Sequence, residues 1–261
     1  MQTPSAGNRA SRERRFHLLQ MVRDHGELEV STATALLEVS LETIRRDLRA
    51  LESQGLIRRS YGRVFPVESG VFETSLAIRH TINPEEKARI ASAVVTKIDE
   101  AQTIFIDEGF QTQLIAQRLP DDRRLTIVTS SLPIATMLAP RPNIQVIMLG
   151  GRVRGNTLGI VDIWAVDMLR RLNLDLAIVG ANGVSEDRGM TTPDPAVAAV
   201  KEAAVLNSAR RIFVGAHHKF GTTTFISFAA LTDFELIITG QELSATLANR
   251  FASAGANLLR V

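Results

Sequence analysis

Cysteine is absent from this 261-residue chain. That excludes disulfides and thiolate zinc sites, and it fits a reducing cytoplasm, the expected compartment. No run of about 18 apolar residues could cross a bilayer, and no charged-then-apolar leader precedes the first helix. Neither a membrane partner nor export is therefore expected. Aromatic residues make up only 5%, with one tryptophan, Trp164, and one tyrosine, Tyr61. Trp164 reads as core or interface rather than as a ligand platform. Lysine is scarce too: of 30 basic residues only Lys87, Lys97, Lys201 and Lys219 are lysines. The histidines show no ligand spacing. His217 and His218 are adjacent and would leave a strand on opposite faces, while His17, His25 and His80 lie apart. No metal and no cofactor is expected.

What is present is ordinary for a globular chain, 45% apolar and 22% charged, and long enough for two domains. Charge is unevenly spread. Residues 1–65 carry 11 arginines against 8 acidic residues, +3, whereas residues 66–261 carry 19 basic against 20 acidic residues, −1. The basic quarter is where a nucleic-acid-binding module would lie.

The sharpest local pattern is Ser40–Glu52. Ile44, Leu48 and Leu51 form an apolar stripe at helical spacing, and Arg45, Arg46 and Arg49 occupy other faces beside Thr43. Ser40 caps the first turn and Glu42 suits the positive end of the dipole. Upstream, Phe16, Leu19 and Val22, widened by Leu18, predict a first helix stopped by Gly26. Glu27–Val30 reads as a short strand. Ser31 is expected to cap a second helix, Thr32–Glu38, whose Ala33 and Ala35 would permit close crossing. Two short helices joined by Val39-Ser40 make a helix-turn-helix, the second entering the major groove. After Gly55, Leu56–Phe65 reads as a hairpin around Tyr61-Gly62, a wing with Arg58, Arg59 and Arg63 facing phosphates.

The run Ser40–Glu52, followed by Gly55-Leu56-Ile57-Arg58-Arg59, closely resembles the winged helix of DeoR-type bacterial transcriptional regulators. Thr43-Ile44-Arg45-Arg46-Asp47-Leu48 matches the core of that family's signature. Where the family usually has two glycines in the wing, this chain has Gly62-Arg63. The DNA contacts expected are Ser31, Ser40, Thr43, Arg45, Arg46, Arg49, Arg58, Arg59, Tyr61 and Arg63. One short recognition helix reads few base pairs, so a homo-oligomer, dimer or tetramer, is expected on operator DNA.

A linker is expected at 67–83, after a DNA-binding domain at 1–66 and before a sensing and oligomerisation domain at 84–261. In that last domain short apolar runs alternate with helices. Strands are predicted at Thr103–Ile106, Leu125–Thr129, Ile144–Leu149, Leu174–Val179, Arg211–Gly215, Leu236–Thr239 and Leu258–Val261. Helices are predicted at Pro84–Asp99, Gln111–Arg118, Pro133–Leu138, Asp162–Leu172, Pro195–Ala209 and Glu242–Ala254. The fold class is α/β, a doubly wound, mainly parallel sheet behind a winged helix-turn-helix. Ligands of such sheets bind beyond the C-terminal strand ends.

Five loops fall there, and together they resemble the sensor domain that accompanies DeoR-type winged helices, from about residue 75 to 240. The resemblance implies a ribose-phosphate-isomerase-like fold and a sugar, polyol or sugar-phosphate effector. It assigns effector contacts to Asp107, Gly109, Gln111 and Thr112, to Ser130, and to Gly151 and Arg154. It adds Asn182, Thr192, Asp194 and Lys201, and finally Lys219. The best-matched parts are Thr191-Thr192-Pro193-Asp194-Pro195 with Lys201, and Lys219-Phe220. The chain departs from the family at Phe110 and Gln111, which replace two threonines of the phosphate loop, and at Ser130, Ala216 and His217-His218. Fewer hydroxyl donors imply an atypical effector, either a larger or differently placed phosphate ester or an unphosphorylated sugar or polyol. The competing reading is a sugar-phosphate isomerase with a fused nucleic-acid module, using Asp107, Glu108, Asp194, Lys201 or Lys219. Loop composition alone does not make catalytic geometry, and no catalytic residue is assigned.

Overall fold

The computed structural model describes residues 6–53, 56–60, 62–66 and 83–261. Tyr61, Gly55, the side chain of Arg58 and residues 67–82 of the expected linker lie outside the described residues. The chain divides into two compact units, residues 1–78 and 79–261.

The first unit holds three helices, α1 (Ala6–His25), α2 (Val30–Leu37) and α3 (Leu41–Ser53). Its strands are β1 (Leu28–Glu29), β2 (Ile57–Ser60) and β3 (Arg63–Pro66), which form a sheet in the order β1-β3-β2. The core is Leu18, Val22, Leu28, Ala33, Ile44, Leu48, Leu51, Ile57 and Val64. The expected α3 stripe is therefore the buried one. On α1 the stripe turns by part of a turn: Leu18 and Val22 are buried, whereas Phe16 is 60% exposed. Both faces of that helix carry apolar residues, and packing against α3 selects one. Only Ala33 of the two α2 alanines is buried. Ser31 does not cap α2: the helix begins at Val30 behind Glu29, and the Ser31 hydroxyl lies within 3.5 Å of the Glu29 carboxylate. The hairpin turn places Gly62 at φ +76°, a backbone region that suits glycine.

The second unit is built on seven strands, β4 (Thr103–Ile106), β5 (Leu125–Thr129), β6 (Ile144–Met148), β9 (Leu174–Val179), β12 (Ser208–Val214), β14 (Leu236–Thr239) and β15 (Leu258–Arg260). They lie in the order β15-β14-β12-β9-β4-β5-β6, every neighbouring pair parallel. Side chains alternate between faces. Ile104, Ile106, Ile127, Ile178, Ile212 and Ile238 pack on one side with Ile90, Ile115 and Ile134, from α4 (Pro84–Val95), α5 (Phe110–Gln117) and α6 (Leu132–Leu138). Phe105, Val128, Val179, Phe213 and Ile237 pack on the other with Val166 and Ala204, from α7 (Ile163–Leu169) and α8 (Pro195–Leu206). A last helix, α9 (Ala245–Ser253), is capped by Ser244 and precedes β15. Strands covered on both faces read as continuous apolar runs, which is why the sequence marks them.

Several elements differ from expectation. The helix begun at Pro195 ends at Leu206, and Ser208-Ala209 already belong to β12. Two small antiparallel sheets were not foreseen: β7 (Arg152–Val153) with β8 (Ile160–Val161), and β10 (Gly183–Ser185) with β11 (Gly189–Thr192) and β13 (Ile226–Ala229). Among the described residues no helix is long and apolar enough to cross a membrane.

At the opposite end of the sheet, Asp175 accepts the backbone N–H groups of Thr103 and Gln102, each at 2.8 Å. These bonds, Thr103 first, hold its carboxyl below the usual carboxylate range. A depressed folded pKa contributes stability that is complete above the unfolded value, near about 3.9, and is lost as pH falls through the folded one. Asp175→Asn should therefore flatten the acid limb of stability. Urea denaturation at a series of pH values from neutral down to about 3 measures it, the variant losing less stability than the parent.

Candidate functional site

The first unit presents α3 and the β2–β3 wing side by side. Ser40 Oγ accepts the Thr43 N–H at 3.3 Å and lies 2.9 Å from Thr43 Oγ1, so the two hydroxyls fix the first turn. Arg45 and Arg46 are exposed and have no carboxylate partner among the described residues. Three other expected contacts, Arg49, Arg59 and Arg63, are paired. Arg49 lies 3.2 Å from Glu42, Arg59 2.6 Å from Glu52, and Arg63 2.7 Å and 3.1 Å from Glu27 and Glu29. The hydrogen bond from Arg59 holds the Glu52 carboxyl below its ordinary range. Val30, Leu41, Arg45, Arg59, Gly62 and Arg63 line a shallow cleft between helix and wing. Exposed pairs of this kind contribute little to stability, so a phosphate can exchange for the carboxylate at small cost.

Asp47, in the middle of the arginine-rich run, is buried at 3% exposure. It accepts Arg14 Nε at 2.6 Å, with Arg15 at 3.8 Å and the Ser11 hydroxyl at 3.3 Å. This carboxylate ties α1 to α3 and so fixes the angle at which the arginine face is offered. Its partner lies 33 residues away, and no local pattern marks it.

In the second unit the chain runs from β4 outward through β5 to β6, then returns to β9 on the other flank of β4. The reversal leaves a crevice beyond the C-terminal ends of β4 and β9, where doubly wound sheets bind ligands. Asp107 follows β4 and Gly180 follows β9. One Asp107 oxygen accepts the Gly180 N–H at 3.0 Å and pairs with Lys201 of α8, whose ammonium also lies 3.2 Å from the Gly180 carbonyl. Both ions are buried, Asp107 at 1% and Lys201 at 4% exposure. Beside them Arg154 lies 3.4 Å from Glu108 and 3.3 Å from Asp194, and donates to the Thr157 hydroxyl at 3.0 Å. Asp194 also caps α8 through the Ala196 N–H. The Thr192 hydroxyl donates to Asn182 at 3.0 Å.

Asp107, Arg154, Asn182, Thr192, Asp194 and Lys201 thus gather into linked polar groups. Others behave differently. The Thr112 hydroxyl donates back to the Gly109 carbonyl at 2.8 Å, and Gln111 donates its amide to the Lys87 carbonyl at 2.9 Å. Gly109, at φ +131°, precedes α5 without a capping side chain, so the first amides of that helix are not closed by one. The Ser130 hydroxyl is buried without a protein partner. Gly151 is a packing position, where an added Cβ would meet the Val161 carbonyl oxygen. Lys219 belongs to the short helical turn His217–Lys219 and is half-buried. Phe110, one of the departures, packs with its ring 5.4 Å from the Lys87 ammonium.

Sequence reading did not single out Glu86, a first-turn residue of α4. It is buried and accepts the His217 N–H at 2.6 Å, with the His217 ring nitrogen at 2.9 Å. Donor atoms of Glu86, His217 and Glu242 lie within 4.8 Å of one another, a spacing that could hold a metal ion. Glu86 is bonded to His217, however, and Glu242 to Arg89 at 2.5 Å, so both carboxylates already have a protein partner. The two partners lie 131 residues apart, too far for any spacing rule to join them.

A winged helix offering guanidiniums, followed by a parallel α/β unit with a charged switch-point crevice, defines a DNA-binding regulator with an attached sensor. Residues 14–69 match the DeoR-like helix-turn-helix domain and residues 82–241 the DeoR C-terminal sensor domain, and the chain belongs to the DeoR family. It is similar to the transcriptional regulator GlpR of Haloferax volcanii, 34% identical over 95% of this chain and 96% of that one. The glycerol-3-phosphate regulon repressor of Escherichia coli is 30% identical over 87% and 90%. A ribose 5-phosphate isomerase from Methanocaldococcus jannaschii matches 53% of this chain and 55% of its own at 16% identity, with a TM-score of 0.38, too low to bear on function.

Removing one member of a buried ion pair leaves the other charged and desolvated, at a cost of about 3–5 kcal/mol. Lys201→Met should lose that much in chemical denaturation. Asp107→Asn/Lys201→Met, with neither charge, should lose much less than the sum of the single variants.

Proposed function

We propose that this protein is a ligand-controlled repressor of a carbohydrate-catabolic operon. It binds operator DNA as a homo-oligomer through α3 and the wing, and a small polyol, sugar or sugar phosphate in the switch-point crevice controls it. The observation that carries the reading is the pairing of Arg45 and Arg46, exposed and uncommitted on α3, with a crevice whose polar groups converge beyond β4 and β9. The boundaries that go with it are 1–66 for DNA binding and 84–261 for sensing and assembly.

The crevice suits a hydroxyl-rich effector. Asp107, Glu108, Asp194 and Asn182 supply acceptors, and the buried Ser130 hydroxyl has hydrogen-bonding capacity to spare. The amides opening α5, which no side chain caps, are the groups suited to a phosphate. The relative named the glycerol-3-phosphate regulon repressor favours a polyol phosphate among these classes. The isomerase reading is disfavoured by the same contacts. Asp107 is held by Lys201 and a backbone amide, Glu108 by Arg154, and Asp194 by the helix it caps, so none is poised as a general base.

Thermal-shift and calorimetric titration with glycerol, glycerol 3-phosphate, ribitol and ribose 5-phosphate tests the sensor. At least one should bind and change operator affinity, and binding should be lost in Asp107→Asn/Lys201→Met. Failure of all four with operator binding intact overturns the polyol class while leaving the DNA reading standing.

On the DNA side, Arg46→Ala should cost about 1–3 kcal/mol and relax base preference at one position, read by competition among operator variants. Glu52→Gln should act in the opposite direction. Releasing Arg59 from its carboxylate should strengthen binding to all sequences alike and steepen the salt dependence by about one phosphate contact.

A further inference from the structure

Around the β7–β8 hairpin the second unit exposes an apolar surface that nothing in the crevice uses. Trp164 is 71% exposed, Ile163 55%, Val153 47%, Met148 43%, Leu158 39% and Leu132 37%. They lie on one stretch of surface. The Leu132 N–H donates to the Leu158 carbonyl at 3.1 Å, Ser131 bridges to Gly159, and Val153 pairs with Ile160. Asp162 ends the hairpin and caps the helix that opens with Ile163-Trp164. The Gly150 N–H meets the Met168 sulfur at 3.1 Å, closing the base of the hairpin onto that helix.

Open apolar area across these six side chains is on the order of 500 Å², the size at which a patch marks an interaction site and most of the ~800 Å² each partner gives a standard interface. The strand leading into it reinforces the point. β6 is the end strand of the large sheet and pairs only with β5 among the described residues. Ile144-Gln145-Val146-Ile147-Met148-Leu149 carries no charge and no proline, the devices that keep a free edge from pairing.

We infer that this surface is a twofold interface with a second copy of the same chain. The charges around it select that occupant. Exposed Arg152 pairs across the hairpin with Val161, the neighbour of exposed Asp162, and neither has an ion-pair partner among the described residues. A face that carries one exposed charge of each sign side by side at the end of the hairpin complements itself under a twofold axis, Arg152 of each copy meeting Asp162 of the other. The proposed function supplies the need for two copies, but the face is read from the second unit alone and stands or falls separately. The hairpin that carries the face continues into Arg154, which reaches Glu108 and Asp194 in the crevice, so assembly and effector share one structural element.

Sedimentation velocity on the full chain tests this without DNA or effector. The parent should run as a dimer or larger, and Trp164→Glu should halve its mass while keeping the parent's circular dichroism. Because the chain has no cysteine, Val153→Cys introduces a single thiol. A short bis-maleimide should convert that variant to covalent dimer, and should not convert Leu206→Cys, which is equally open at 72% exposure but lies on α8. A monomeric parent, including one whose Trp164 is shielded by another part of the chain, overturns the inference. So does an unchanged mass in a folded Trp164→Glu, or equal cross-linking at Leu206. Should Trp164→Glu fail to fold, the two thiol variants decide.

Discussion

The contact on which the sensing unit depends is the buried ion pair between Asp107 and Lys201. Two charges taken out of water gain little unless every remaining lone pair and proton is satisfied. Here the Gly180 amide and carbonyl supply one further hydrogen bond to each ion. The pair therefore joins three pieces that the hydrophobic effect alone would leave loosely aligned: the end of β4, the end of β9 and the middle of α8. Apolar packing on both faces of the sheet is strong but non-directional. The ion pair supplies direction, holding the switch-point crevice at the place where the chain reverses its winding.

Much of this architecture was legible because its causes are local. Strands buried on both faces must be short runs of isoleucine, valine and phenylalanine, so Thr103–Ile106 and Leu174–Val179 appear in the sequence with the bounds they have in the structure. Helices that open with proline, at Pro84 and Pro195, are equally plain. The α3 stripe was readable for the same reason. The sheet of β10, β11 and β13 was not, since Gly183–Ser185 and Gly189–Thr192 are short and each sets a single large apolar residue, Val184 or Met190, among glycine, serine and threonine, so no apolar alternation shows.

Side-chain roles were harder to read than elements. Asp47 stands in the sequence only as one member of the arginine-rich run and proves to be an internal tie, because only tertiary structure brings Arg14 to it. Gln111 was expected to face an effector and is instead bonded to α4 through the Lys87 carbonyl. Glu86, unmarked by any local pattern, anchors the His217 loop in space. In each case residue type was informative about charge and silent about partner. The residues that the structure does bring together, Asp107, Asp194 and Lys201, lie at a strand end, at a helix start and in the middle of that same helix, which topology sets beside the crevice.

The paired arginines of the DNA-facing surface carry a further consequence. Arg49, Arg59 and Arg63 each rest on a carboxylate in the free protein. Engaging a phosphate there is an exchange of one anion for another, and the gain per contact is the difference between the two. Such a surface is masked. It holds weakly to any polyanion met in passing, so a small number of molecules is not sequestered by the vast excess of irrelevant sites in a genome. On the proposed reading the balance tips only where Arg45 and Arg46 meet matching bases, and the neighbouring carboxylates then take part in how the protein searches.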